Sequence, residues 1–133
     1  MNLARHPAPK PTESEMSILG VLWAQGPCTV REVHEQLYRE DGGGYTTALK
    51  LLQIMHGKGL VHRADALRAH VFPAAVDKSP TQGRFLSDMV HAVFDGSASQ
   101  LVLHALGSQK ASREELDQIR MLLDHIEAKA NQP

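Results

Sequence analysis

A mainly α-helical chain with one small β-wing is what the sequence predicts, and three observations carry that reading. Four Ser/Thr-x-x-Glu/Gln pairs, Thr12/Glu15, Thr29/Glu32, Ser97/Gln100 and Ser112/Glu115, each precede a stretch of helix-period apolar residues. In such a capping box the hydroxyl accepts from an orphan backbone N–H while the acid or amide reaches back. Between residues 45 and 72 a helical apolar pattern runs straight into a segment that alternates as a β-hairpin does. Beyond Pro73 and Pro80, which bracket a connector, the composition turns helical and more acidic. Three helices, a ribbon and further helices give a winged helix-turn-helix domain, residues 12–74, followed by a helical dimerisation domain, residues 75–133. Residues 1–11, with three prolines and little apolar content, form a disordered lead-in.

The elements follow in order. Helix 1 is expected from Glu13 to Ala24, burying Met16, Leu19, Leu22 and Trp23, and ended by Gly26-Pro27. Helix 2, Val30 to Arg39, buries Val30, Val33 and Leu37 and is closed by Gly42-Gly43-Gly44. Helix 3, Thr46 to Gly57, places Ala48, Leu51, Leu52 and Met55 on one face and Thr46, Lys50 and Gln53 on the other. Two short strands, Leu60 to Arg63 and His70 to Phe72, flank a turn at Asp65 to Arg68. An apolar stripe of Phe85, Leu86, Met89, Val90 and Val93 stops at Asp95-Gly96. A short helix from Ala98 to Leu106 ends at Gly107, and a last one from Arg113 to Lys129 carries Leu116, Ile119, Leu122, Leu123 and Ile126. Three helices of this size cannot bury so many apolar side chains within one chain, so the surplus points to a homodimer. The expected interface residues are Phe85, Met89, Val93, Leu101, Val102, Leu106, Leu116, Ile119 and Leu123.

The 133 residues carry a net charge of −1, which argues against a non-specific polycation. Its distribution says more. Lys50, Lys58, Arg63 and Arg68 face only Asp65 between residues 45 and 72, a local surplus of +3. A single cysteine, Cys28, cannot form an internal disulfide and fits a reducing cytoplasm. The opening residues lack the apolar run of a signal peptide, and no stretch approaches the roughly 20 apolar residues that span a bilayer. A cytoplasmic protein without membrane insertion is therefore expected.

A helix that can lie in a groove, followed by a basic ribbon, suits double-stranded DNA. Thr46, Thr47, Lys50 and Gln53 are the groove-facing candidates, because Thr, Lys and Gln side chains meet phosphates and base edges. Tyr45 can stack or donate to a phosphate at the start of the helix, and Thr29 and Arg31 stand at the start of helix 2. Arg63, Arg68 and His70, with His62 as a further possibility, touch the backbone from the wing. The eight histidines raise a metal alternative, a zinc site between His62 and His70 across the ribbon. Against it, no His-x-x-x-His pair occurs on a helix and Cys28 has no thiol companion, so neither metal nor cofactor is expected. Catalysis is not expected either: there is no Gly-x-Ser-x-Gly, no Cys-x-x-Cys and no Walker loop, since the glycines at 42–44 lack a following Lys-Ser/Thr.

Taken together, Pro11 to Met16 (Pro-Thr-Glu-Ser-Glu-Met), Leu22-Trp23, Thr29-Val30-Arg31-Glu32-Val33, Gly44-Tyr45-Thr46-Thr47-Ala48, Lys58-Gly59-Leu60-Val61, Phe94-Asp95-Gly96-Ser97 and Leu101-Val102 resemble the penicillinase repressor family (BlaI/MecI/CopY type) over residues 11 to 127. The resemblance implies a dimeric winged-helix repressor that binds inverted repeats in promoters and folds without metal. It also implies a membrane sensor with a metallopeptidase domain acting upstream, and repressor cleavage, by position, near Ser97-Ala98. The local sequence Gly96-Ser97-Ala98-Ser99-Gln100 lacks the Asn-Phe pair of the staphylococcal members. No cysteine-rich tail of the copper-responsive kind is present. Leu49 and Ile54 stand where the family is often basic, and Lys50 where it often has Thr. The reading is a transcriptional repressor that occupies a palindromic operator as a homodimer. Two alternatives stay open: a winged-helix module for protein–protein contact, and a repressor that senses a small ligand.

Overall fold

The computed structural model describes residues 10–40, 44–66 and 69–132. Among them are α1 (Glu13–Gln25), α2 (Val30–Leu37), α3 (Tyr45–Lys58), β1 (Ala64–Ala66), β2 (Ala69–Val71), α4 (Lys78–Val93), α5 (Ala98–Ser108) and α6 (Arg113–Ala130). Three of the four capping boxes close in both directions. Thr12 Oγ1 accepts from the Glu15 N–H at 3.2 Å while the Glu15 carboxylate accepts from the Thr12 N–H at 2.8 Å. Thr29/Glu32 and Ser112/Glu115 repeat the arrangement. Hydrogen bonds from the Ser112 backbone and hydroxyl hold the Glu115 carboxyl below the usual carboxylate range. At α5, Ser97 Oγ accepts from the Gln100 N–H at 3.2 Å.

Several boundaries differ from the sequence expectation. Helix α2 stops at Leu37, two residues early, and the chain re-enters a helix at Tyr45 with Gly44 as its N-cap. Two of the three glycines expected to close α2, Gly42 and Gly43, lie outside the described residues. Helix α4 starts at Lys78 and takes Pro80 into its first turn. A proline is tolerated there because the first N–H groups of a helix have no intrahelical acceptor. Helix α5 passes through Gly107 to Ser108. Of the proposed lead-in, residues 1–9 lie outside the described residues, Lys10 pairs with Asp88 at 3.3 Å and Pro11 is buried.

The first strand sits further along the chain than expected, and the second starts one residue earlier. The regular strand begins at Ala64, and Leu60 and Val61 lead into it, Val61 in the same register, while buried in the core. There the Ala75 N–H donates to Leu60 O at 2.9 Å, and Val61 bridges to Ala74. The ribbon proper pairs Ala64 with Val71, Asp65 with His70 and Ala66 with Ala69. Asp65 is therefore a strand residue, while Leu67 and Arg68 lie outside the described residues. The register also removes the His62–His70 zinc alternative. His70 stands opposite Asp65, with Nδ1 and Oδ1 2.6 Å apart, and the His62 N–H donates to Pro73 O.

One core gathers Ile18, Leu19 and Leu22 of α1, Val30 and Val33 of α2, and Ala48, Leu52 and Met55 of α3, with Cys28, Leu60, Val61 and Phe72. Ile18, absent from the expected set, is fully buried, whereas Met16 and Trp23 are half-buried at its edge. Trp23 keeps its polar end satisfied by donating Nε1–H to Val76 O at 3.0 Å. The Phe72 N–H donates to Cys28 O at 2.8 Å, which ties the wing to the start of α2. Helix α3 ends on Gly59 at φ +80°, with the Leu60 N–H on Met55 O and the Gly59 N–H on His56 O. Gly59→Ala should cost about 1 kcal/mol, because a Cβ is strained in the left-handed region. A thermal melt will register it, and an unchanged Tm would show that this φ is not needed.

The chain divides into two compact units within α4, between Asp88 and Met89. In the second unit a turn at Asp95 (φ 52°) and Gly96 (φ 82°) leads into α5, with the Gly96 N–H donating to Val90 O at 3.0 Å. The Phe94 ring lies 5.4 Å from that of His104. Leu101, Leu116 and Ile119 are half-buried, while Met89, Val93, Val102, Leu103, Leu106, Leu122, Leu123 and Ile126 are exposed. Phe85, in the first unit, is half-buried. No helix among the described residues is long and apolar enough to cross a membrane.

Candidate nucleic-acid interface

Helix α3 buries Ala48, Leu52 and Met55, and helical geometry then fixes what it presents outward. Thr46, Lys50 and Gln53 lie opposite the buried row and are exposed, with Thr47 and Ile54 along one flank. On the other flank Tyr45, Leu49 and His56 face the wing. Between α3, the first turn of α2 and the wing is an open cleft of about 610 Å³.

Six of the sequence-predicted residues line that cleft: Thr29, Arg31, Tyr45, Gln53, Arg63 and His70. Thr46, Thr47 and Lys50 are exposed on α3 outside it. Arg68 lies outside the described residues. Leu49 and His56 also line the cleft and were not foreseen. The signal was available in the helical period, since Tyr45, Leu49, Gln53 and His56 form one row at spacings of four, four and three.

Among the described residues the lining includes two permanent cations, Arg31 and Arg63, and no carboxylate. The nearby Asp65 carboxylate is engaged with His70, and the Glu32 carboxylate with its own capping box. Gly44 caps α3 without a side-chain hydrogen bond, and the first turn of α3 holds no acid. Such a helix start favours an incoming anion.

One charge counted toward the basic segment is spent elsewhere. Lys58 Nζ donates to Glu15 Oε1 at 2.6 Å, so it neutralises a buried carboxylate and does not face outward. Burial pushes the Glu15 carboxyl up, but the Lys58 and Thr12 hydrogen bonds and the Lys58 charge outweigh it and hold it below its ordinary range. The pair fastens the C-terminal end of α3 to the N-terminal end of α1. Cys28 is buried behind the wing, and burial, with the Glu32 charge second, pushes its thiol up and keeps it protonated.

Three helices, with the third exposed along one face and a two-stranded ribbon beside it, define a winged helix-turn-helix module. The profile of the family described as penicillinase repressor matches residues 11–125. The transcriptional regulator BlaI of Mycobacterium tuberculosis is 30% identical over 116 residues, covering 86% of this chain and 83% of that protein. The methicillin resistance regulatory protein MecI of Staphylococcus aureus is 17% identical over 113 residues, covering 85% and 92%. The chain belongs to the penicillinase repressor family, whose members are transcriptional regulators and not enzymes.

Proposed function

We propose that this family member represses transcription in the cytoplasm by occupying a palindromic operator as a homodimer. The observation that carries the reading is the cleft between α3 and the wing, with Arg31 and Arg63 on its walls and no carboxylate among its described lining residues. In this reading α3 enters the major groove with Thr46, Thr47, Lys50 and Gln53 toward base edges and flanking phosphates. Thr29, Arg31, Tyr45 and the first turn of α3 hold one stretch of backbone, and Arg63, Arg68 and His70 hold the next. Two such units, related by a two-fold axis, meet half-sites about one helical turn apart.

Helix α6 supports the dimer. Leu116, Ile119, Leu123, Ile126 and Ala130 recur at spacings of three, four, three and four, the seam of a left-handed helix pair. Leu123 and Ile126 are 56% and 54% exposed, so among the described residues nothing covers this half of the seam. Phe85, Met89, Val93, Leu101, Val102 and Leu106 are the further residues that this reading assigns to the contact with a second copy. Induction follows from loss of the dimer, by cleavage at the start of α5 near Ser97-Ala98 after a membrane sensor metallopeptidase is activated.

The test is fluorescence anisotropy with duplexes from the chain's own upstream region. Lys50→Ala with Arg63→Ala should weaken binding at least about tenfold and flatten the log-affinity against log-salt slope by about 2, as expected when two phosphate contacts are removed. Absence of binding to every fragment at low ionic strength would sink the reading. Ile54, 44% exposed on α3, suits an apolar protein partner instead, and that rival predicts the negative result.

A further inference from the structure

Two of the groups that line the cleft are titratable near neutrality, and the operator reading leaves their chemistry unused. His56 projects from the last turn of α3 and His70 from β2, on opposite walls of the same opening. Both side chains are exposed, so water can protonate either ring. We propose that His56 and His70 make operator binding proton-coupled: each imidazole takes up a proton as a phosphate enters the cleft, so the repressor grips DNA more tightly as pH falls. The inference rests on the operator-binding reading and assigns His56 a phosphate contact beside that of His70.

The surroundings favour this. From α2 the cleft receives the Arg31 guanidinium, with Glu32 turned to the Thr29 N–H. From α3 come Tyr45 and Gln53, and from the segment before β1 Arg63. The Asp65 carboxylate of β1 stands 2.6 Å from His70 Nδ1, which leaves Nε2 as the nitrogen free for an outside acceptor. A phosphate held between Arg31 and Arg63 offers each ring an anionic acceptor, and a nearby opposite charge favours the charged form of an imidazole. Imidazole is the side chain whose charge is set between pH 5 and 8, so uptake on binding falls in a range a cell can visit. By linkage, each proton taken up changes affinity by up to tenfold per pH unit.

Anisotropy titrations of the full chain against an operator duplex selected from random sequence, at pH 6.0, 7.0 and 8.0 and constant ionic strength, test this directly. The dissociation constant should rise about 10- to 100-fold from pH 6.0 to 8.0, and the salt slope should be steeper by about 2 at the lower pH. His56→Gln with His70→Gln should lose most of the gain in affinity that wild type shows between pH 8.0 and pH 6.0. Each single variant should lose roughly half of that gain on a logarithmic scale. Circular dichroism at the three pH values confirms that the fold is unchanged. Binding that is tight and independent of pH would overturn the coupling alone. A pH dependence that survives in the double variant would overturn the assignment to these two residues. No binding at any pH would remove the operator reading, and this inference with it.

Discussion

Lys58→Ala is expected to destabilise the winged-helix unit by about 3–5 kcal/mol, the usual consequence of leaving a buried charge without its partner. Glu15 is only 2% exposed and gives Oε1 to both Lys58 Nζ and the Thr12 N–H. Removing the ammonium leaves a carboxylate in the core edge with a single backbone donor. Glu15→Gln should cost less, because the amide oxygen can still accept from the Thr12 N–H and Lys58 is partly solvated, with its side chain 24% exposed. Urea unfolding of the two single variants and of the Glu15→Gln/Lys58→Ala double variant forms a cycle whose coupling should exceed about 1 kcal/mol. A loss below about 1 kcal/mol in Lys58→Ala would show that the pair is ornamental. The pH dependence has a definite sign. The folded-state carboxyl is held below its ordinary value of 4.5, so the stabilisation is complete above that pH and is lost as pH falls through the folded-state value. Glu15→Gln should therefore show a shallower acid limb than wild type, while both curves run parallel above about pH 6.

That pair also marks where sequence reading reached its limit. Counting charges between residues 45 and 72 credits Lys58 to the DNA face, because its partner lies 43 residues earlier in the chain. The helices were legible because caps are local chemistry: Thr12, Thr29 and Ser112 find their partners three residues away, whatever the rest of the chain does. The ribbon was not. Its strands read Ala-Asp-Ala and Ala-His-Val, with little β-propensity, while the more strand-like Leu60-Val61 belongs to the core. The bridges Cys28–Phe72 and Val61–Ala74 tie the ribbon to the rest of the unit, and such contacts leave no short-range trace. The same distinction governs the candidate site. Residue types and period brought out Arg31, Tyr45, Gln53, Arg63 and His70, and the same period carried His56, but that Arg31 shares one cleft with the α3 row follows from the packing of α2 against α3.

The largest effect on DNA binding should come from a change that touches none of these cleft residues. Leu123→Asp with Ile126→Asp is expected to yield a folded monomer whose operator affinity is lower by about 100- to 10,000-fold. The reasoning begins with exposure. Both side chains are already more than half exposed within one chain, so charging them costs the isolated subunit little. In a paired α6 seam the same carboxylates would be desolvated next to their symmetry mates, and the helix pair would not form. Each winged helix then binds its half-site alone. The second half-site is no longer reached at the millimolar effective concentration that a dimer supplies, which is the origin of the expected factor. Sedimentation analysis should report a mass of one chain, against two for wild type, while the helical circular dichroism of the first unit and its melt persist. Joining two such variant chains in tandem through a flexible linker long enough to span the half-sites should recover much of the lost affinity, because tethering replaces the missing seam. A variant that remains a dimer would move the interface away from α6, and a true monomer with undiminished affinity would show that one winged helix suffices.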